Sequence, residues 1–412
     1  MRQGWRSQLL ALSRFVVHSP PVKLAHIADP HLGIRQYHRQ TAGGINQREA
    51  DIAQAFRAAV DGVIAAAPDA VVIAGDLFHS VRPTNAAIVF AFRQFQRLRE
   101  ALPRAPIVLI AGNHDTPRSV ETGSILRLYE ELGVDVAITE PRRFVYPELD
   151  LSIFAVPRQA LLTREPPVLR PEGSERRQVL VIHLEVEGEY QHRGASDFGG
   201  AVLSRRELHL EDWTYIALGH YHTQHQVARN VWYAGALDYI GPNIWGERVD
   251  EADHGNHGKG WLLVDLNQGR VDRRRVPAAR EVLDLEPVRA EGLSASAVDA
   301  EIALRLAAIP GGVADKIVRL RIYDIPRHVA RELNHVAIRA YKADALHFHL
   351  DLRRPEIQRT VGVGAPGRRQ TLPDLVQSYL SGRPLPAELD RAAFVRLGEE
   401  LMESVERDLA GG

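Results

Sequence analysis

Ala70-Val71-Val72-Ile73-Ala74-Gly75-Asp76-Leu77-Phe78-His79 sets an unbroken apolar run against a Gly-Asp turn and a histidine. A short, continuous, β-branched run of this kind reads as a strand buried on both faces, the pattern of a parallel sheet. Working outward, Pro68-Asp69 ends a helix expected over 47–66, where Ala53, Phe56, Val60, Val63 and Ile64 fall at helical spacing. Before that helix a second apolar run, 23–28, ends in Asp29-Pro30-His31. After the quoted stretch comes a helix expected over 85–102, with Ile88, Phe92, Phe95 and Leu98 on one face. A third apolar run, 106–111, then ends in Gly112-Asn113-His114-Asp115. Strand, polar loop and helix in repetition is βαβ construction, which puts chemistry at the C-terminal ends of the strands.

Further strands are expected over 151–156, 178–182, 215–218, 231–234 and 261–266. Their connections are short, so part of the sheet is expected to run antiparallel. The fold class is therefore α/β, with two layered sheets as a β-sandwich flanked by helices, rather than one doubly wound sheet. The pattern changes over 281–292. Beyond it a small α+β unit is expected, with helix 296–307, strand 316–323, one helix over 327–341 and strand 347–352. A Gly/Pro/Arg-rich linker follows at 362–369, then a helix over 389–409 with Phe394, Leu397, Leu401 and Val405 in one stripe. The expected division is an N-terminal extension (1–21), a catalytic domain (22–280), the α+β unit (281–360), and a linker with a C-terminal helix (361–412).

Composition narrows the function. The chain has 412 residues and no cysteine, which removes disulfides, thiolate metal ligands and a cysteine nucleophile together. Its 51 basic and 52 acidic residues give a net charge of −1, so any nucleic acid must be met by local patches rather than a global basic excess. The apolar run Leu9–Leu12 is interrupted by Arg14 and His18 and has no small-x-small cleavage site after it, so 1–21 reads as an extension rather than a leader. No apolar stretch reaches the roughly 20 residues needed to span a bilayer. A soluble cytoplasmic protein is the expectation.

Five clusters carry the chemistry: Asp29-Pro30-His31, Gly75-Asp76 through His79, Gly112 through Asp115, Ile182-His183, and Gly219-His220-Tyr221-His222. Each follows an apolar strand. Carboxylates, an asparagine and imidazoles gathered on one sheet edge cost several kcal/mol to desolvate unless something binds them. A pair of divalent cations suits this mixed nitrogen and oxygen donor set, with Mn2+ first and Fe2+ or Zn2+ as alternatives.

Taken in order, DPH, GDLFH, GNHD, H and GHYH resemble the signature of calcineurin-like metallophosphoesterases. The fuller stretches HIADPHLG, IAGDLFH, HLEVEGE and YIALGHYH look most like the SbcD branch of DNA double-strand-break repair nucleases. The resemblance covers about 23–265, and the C-terminal third matches that family's small capping domain in position and type. It implies that Asp29, His31 and His222 hold one metal, that Asn113, His183 and His220 hold the other, and that Asp76 bridges them. It further implies that His114 faces the scissile phosphate as a proton donor, that Asp115 orients His114, and that His79 helps place the DNA backbone. Two ions about 3.5–4 Å apart would both activate a water and neutralise the phosphate, and an imidazole outside their shells is suited to protonate a leaving oxygen.

The resemblance also implies partners: DNA, as duplex ends and single strands, an SbcC-type coiled-coil ATPase, and a second copy of the chain in a homodimer. No Walker motif is present, so any ATP-driven step needs that partner. The stripe of Phe394, Leu397 and Leu401 is a candidate docking helix or an intramolecular core contact. The family's Tyr-x-Gly-Ser segment is here Tyr233-Ala234-Gly235-Ala236, without the hydroxyl. DNA-binding residues are otherwise unassigned. Arg270, Arg273, Arg274, Arg275 and Arg280 could track a phosphate backbone or form a solvated edge. His254 and His257 read as a surface loop, with a third metal site as the alternative, and His347 and His349 as structural or solvated. The alternative function is hydrolysis of a small nucleotide or a phosphoprotein at the same dinuclear site, and a non-catalytic DNA-end scaffold is a third reading.

Overall fold

The computed structural model describes residues 21–116, 123–189, 201–256, 258–355, 372–383, 385 and 390–410. The expected extension (apart from Pro21), the 362–369 linker and His257 lie outside them. The described strands are β1 (Lys23–Ile27), β2 (Ala70–Ile73), β3 (Ile107–Ile110), β4 (Asp135–Ala137), β5 (Arg142–Tyr146), β6 (Leu151–Val156), β7 (Arg177–His183), β8 (Glu185–Val186), β9 (Val202–Leu203), β10 (Tyr215–Gly219), β11 (His225–Ala228), β12 (Val231–Tyr233), β13 (Gly260–Asp265) and β14 (Arg270–Arg275). In the following unit come β15 (Val282–Asp284), β16 (Val288–Arg289), β17 (Ile317–Tyr323) and β18 (His347–Leu352).

Two six-stranded sheets carry the first part of the chain, in the orders β14-β13-β1-β2-β3-β4 and β11-β12-β10-β7-β6-β5. Their facing sides share one apolar core: Leu24, Val72 and Val108 from the first sheet meet Ile153, Val181 and Ala217 from the second. The alternate residues Ala25, Ile27, Val71, Ile73, Ile107 and Leu109 face outward against helices α1 (Gln47–Ala66) and α2 (Asn85–Ala101), packing on Phe56, Val60 and Phe95. With side chains alternating between two buried faces, the strands read as continuous apolar runs. This is the α/β sandwich of the metallophosphoesterase fold.

The antiparallel pairings sit where the sequence left them unplaced. The inner strands β6, β7, β10 and β12 are parallel to one another, and the antiparallel partners are β13 beside β1, β14, β5 and β11. Crossovers through irregular segments, with only the four-residue helix α3 (Arg158–Leu161) between β6 and β7, suffice for the parallel order.

Residues 282–352 build a separate four-stranded sheet on β17, every pairing parallel, with its own core. Between the two sheets of the sandwich and this unit stands α4 (Ile244–Asp253), whose Ile244 and Trp245 pack with Val282, Ile317, Leu346 and Tyr239. Helix α5 is Ala295–Ala307. The single helix expected over 327–341 is two, α6 (Arg327–Glu332) and α7 (His335–Asp344). The break is at Asn334, whose side chain accepts the Ala337 N–H at 3.0 Å and so starts a new helix as an N-cap. His347 stacks on Tyr37 of the sandwich at 4.2 Å, which gives it a structural place.

Pro355–Gly412 is a second compact unit holding α8 (Leu372–Gly382) and α9 (Arg391–Ala410). A Cβ at Gly398 would fall 2.2 Å from Leu380 Cδ1, so the two helices meet closely there. Phe394 is half-buried, while Leu397 and Leu401 are exposed. The side chain of Val405 lies outside the described residues.

Candidate metal centre

All five clusters arrive at one end of the sandwich, because β1, β2 and β3 are parallel in one sheet and β7 and β10 are parallel in the other. The loops are knitted by backbone bonds. Asp29 and His31 donate their N–H groups to the carbonyls of Gly75 and Asp76, and the His220 N–H donates to the Asp29 carboxylate at 3.0 Å. Across the sandwich, His183 Nδ1 reaches the Ala74 carbonyl at 2.8 Å. Asp29, His31, Asp76, His183, His220 and His222 are all buried.

Four of these residues occupy the left-handed backbone region: Asp29 at φ 51°, His31 at 47°, Asp76 at 51° and His220 at 107°. Such conformations cost of order 1–3 kcal/mol each in a non-glycine residue and concentrate where function holds them. The glycines preceding the ligand-type residues are required by close approach. A Cβ at Gly219 would lie 1.9 Å from the Ala74 carbonyl oxygen and 2.7 Å from His183 Nδ1, and one at Gly75 would lie 2.4 Å from the same ring nitrogen.

The donor atoms converge. Asp29, His31 and His222 offer ligand atoms all within 4.8 Å of one another, as do Asp29, Asp76 and His183. Asp76 Oδ2 stands between two imidazoles, 3.6 Å from His31 Nε2 and 3.3 Å from His183 Nε2. Asn113 Oδ1 is 2.9 Å from His183 Nε2 and 3.2 Å from His220 Nδ1. Two ligands each about 2.1 Å from one ion lie roughly 3.0–3.4 Å apart, so these separations fit divalent cations, as does the mixed donor set.

Electrostatics point the same way. Burial pushes the Asp29 carboxyl up to about 7 against the pull of His183 and His222. Asp76 is held well below the usual carboxylate range: burial opposes this, but His183, His31 and His114 around it prevail. His183 is raised to about 9, since the neighbouring Asp76 and Asp29 outweigh its desolvation. In metal-free form the cluster therefore retains protons that a dication would replace.

His114 and His79 lie on the open side of this cluster. Their rings stack with centroids 4.9 Å apart, and His31 Nδ1 is 3.1 Å from His79 Nδ1. The expectation that Asp115 orients His114 is corrected by the geometry. His114 Nδ1 donates to the His79 carbonyl at 2.7 Å, while the Asp115 carboxylate accepts the N–H groups of Leu77 and Phe78 at 2.9 and 3.0 Å. Asp115 thus clamps the loop after β2, and the His79 carbonyl selects the tautomer of His114.

Sequence reading missed three residues. Glu185 accepts from His220 Nε2 at 3.1 Å. It stands two residues past His183 but on the separate strand β8, so no single strand's period marked it. Arg158, after β6, places its charge where it acts on Asp76. Glu247 lies 3.7 Å from His222 Nδ1, and nothing in its helical context marked it. The arginine run divides. Arg270 and Arg274 are exposed and pair with Asp272, Arg273 covers the Trp232 ring, and Arg280 is tied to Asp51. His254 is exposed and bonds the Asp250 carbonyl.

A two-sheet sandwich that delivers Asp, Asn and His from parallel strand ends onto one point defines the metallophosphoesterase class. Residues 22–224 match the family model for calcineurin-like phosphoesterases, and this part of the chain is a calcineurin-like phosphoesterase domain. That family implies divalent metal ions. The chain is also similar to proteins named DNA double-strand break repair protein Mre11. That of Sulfurisphaera tokodaii is 28% identical over 60% of this chain and 60% of its own length. Those of Methanocaldococcus jannaschii and Saccharolobus solfataricus are each 27% identical over 60% of this chain and over 63% and 61% of theirs. The matched stretch therefore spans somewhat under two thirds of these relatives. Among the described residues no helix is long and apolar enough to cross a membrane.

Proposed function

We propose that this chain is a metal-dependent DNA nuclease of SbcD type that hydrolyses phosphodiesters at duplex ends, with single strands as further substrates. The observation that carries the reading is Asp76 Oδ2 standing between His31 Nε2 and His183 Nε2, the place of a bridging carboxylate. In this reading Asp29, His31, His222 and Asp76 hold one ion, and Asn113, His183, His220 and Asp76 hold the other, with Mn2+ as the metal. Bound there, two divalent cations supply a nucleophilic water and charge neutralisation at the phosphate.

The chain's own residues do the rest. His114 holds its Nδ1 proton on the His79 carbonyl, which leaves Nε2 to carry the proton handed to the departing oxygen. His79, stacked on that ring, steadies it and presents an edge to the nucleic-acid backbone. The division proposed is a catalytic domain (22–280), a capping unit (281–360) and a C-terminal segment whose exposed Leu397 and Leu401 dock on a coiled-coil ATPase. The names of the similar proteins support DNA as the substrate, and a homodimer is part of the same reading.

The test compares a linearised plasmid with a generic bis-phosphate ester, each in Mn2+. DNA degradation supports the proposal. Ester turnover alone would establish a small-molecule phosphodiesterase, and DNA binding without turnover of either would establish a scaffold.

A further inference from the structure

Behind His222 lies a buried charge cluster that the proposed reaction does not use. Glu247, on α4, is fully buried, and Lys259 and Glu251 are buried beside it. Lys259 Nζ is 2.6 Å from Glu247 Oε2 and 3.1 Å from Glu251 Oε1, and it donates to the His222 backbone carbonyl at 2.8 Å. Glu247 Oε1 accepts the Gly241 N–H at 2.6 Å and lies 3.7 Å from His222 Nδ1, a small ring rotation from a hydrogen bond. Glycine at 241 makes this approach feasible, since a Cβ there would fall 2.4 Å from Glu247 Oε1 and 3.4 Å from His222 Nδ1.

Burying ions is costly unless they are paired and hydrogen-bonded. One lysine here faces two glutamates, and the Glu247 oxygen that Lys259 does not take is the one turned to the imidazole. Lys259 fixes both the His222 backbone and the carboxylate facing its ring. An imidazole that gives Nδ1–H to a carboxylate has its tautomer and direction set and its Nε2 made a better donor.

We propose that Glu247, braced by Lys259, is a positioning residue for His222, taking its Nδ1 proton and turning Nε2 toward the ion. This rests on His222 being a metal ligand in the proposed function. Mn2+ titration of the full chain, followed by calorimetry and by the spin-coupled signal of the Mn2+ pair, tests it. Glu247→Gln keeps the side-chain volume and is expected to weaken one of the two ions by about 10–100-fold. Glu251→Gln breaks the same charge cluster without facing His222 and is expected to bind both ions as the wild type does. Wild-type affinity in Glu247→Gln, or equal weakening in Glu251→Gln, would overturn the proposal. A wild type that takes up no second ion would instead overturn the dinuclear reading on which it rests. Ring-nitrogen NMR of the metal-free wild type needs no variant: His222 should be the Nδ1–H tautomer, and Nε2–H would refute the role.

Discussion

His114 and Gly219 show how single residues here answer to different demands. His114 stands on the open side of the cluster with its Nδ1 committed to the His79 carbonyl. His114→Ala is therefore expected to keep the metal content of the wild type while nuclease turnover falls by roughly 10²–10⁴-fold, the contribution typical of a general acid. Metal analysis beside a linear-DNA assay in Mn2+ checks this, and a variant as fast as wild type would remove His114 from its role. Gly219 has no chemistry, yet its neighbours leave no room for a methyl group. Gly219→Ala is expected to lower stability by at least about 2 kcal/mol, since overpacking against backbone has no cheap relaxation. Urea unfolding measures it.

At the level of elements, α9 and α4 expose contrasting surfaces. The described part of α9 leaves Leu397 and Leu401 to solvent, so their replacement removes little packing. Leu397→Glu with Leu401→Glu is expected to change the melting temperature by less than a few degrees and, under the proposed function, to abolish co-elution with an SbcC-type coiled-coil ATPase. Retained co-elution would move the docking surface elsewhere. Helix α4 faces two ways instead: Trp245 lies beneath the Arg319 guanidinium at 4.9 Å, and Glu247 turns to His222. Helices with a clear apolar stripe were readable in advance, and α1 runs over the expected residues. The split between α6 and α7 was not readable, because the apolar spacing continues through Asn334 and only the capping bond and its Asp299 partner favour a break there.

For the whole molecule, the site couples stability, pH and metal. Asp29 is raised from its ordinary 3.8 to about 7 and His183 from 6.5 to about 9. Both folded values lie above the unfolded ones, so in the metal-free state these two groups contribute stability that is lost as pH rises, from about 4 to 7 for Asp29 and from about 6.5 to 9 for His183. Cations compete with those same protons. The rise in melting temperature on adding Mn2+ is thus expected to be larger at pH 8 than at pH 5.5. An equal or reversed difference in thermal unfolding scans would contradict the assignment of Asp29 and His183 to the ions.

The sequence alone determined the strand and helix alternation, the two-layer class and the short clusters at strand ends, because period and turn chemistry are local properties. It also contained the family resemblance. Only the tertiary structure decided that β6, β7, β10 and β12 run parallel, that Asp115 clamps a loop rather than His114, and that Glu185 and Glu247 stand behind His220 and His222. Those facts depend on which groups meet across tens of residues of chain, as the 35 between Glu185 and His220. A carboxylate's partner is fixed by packing in space, and nothing in its immediate neighbours along the chain encodes it.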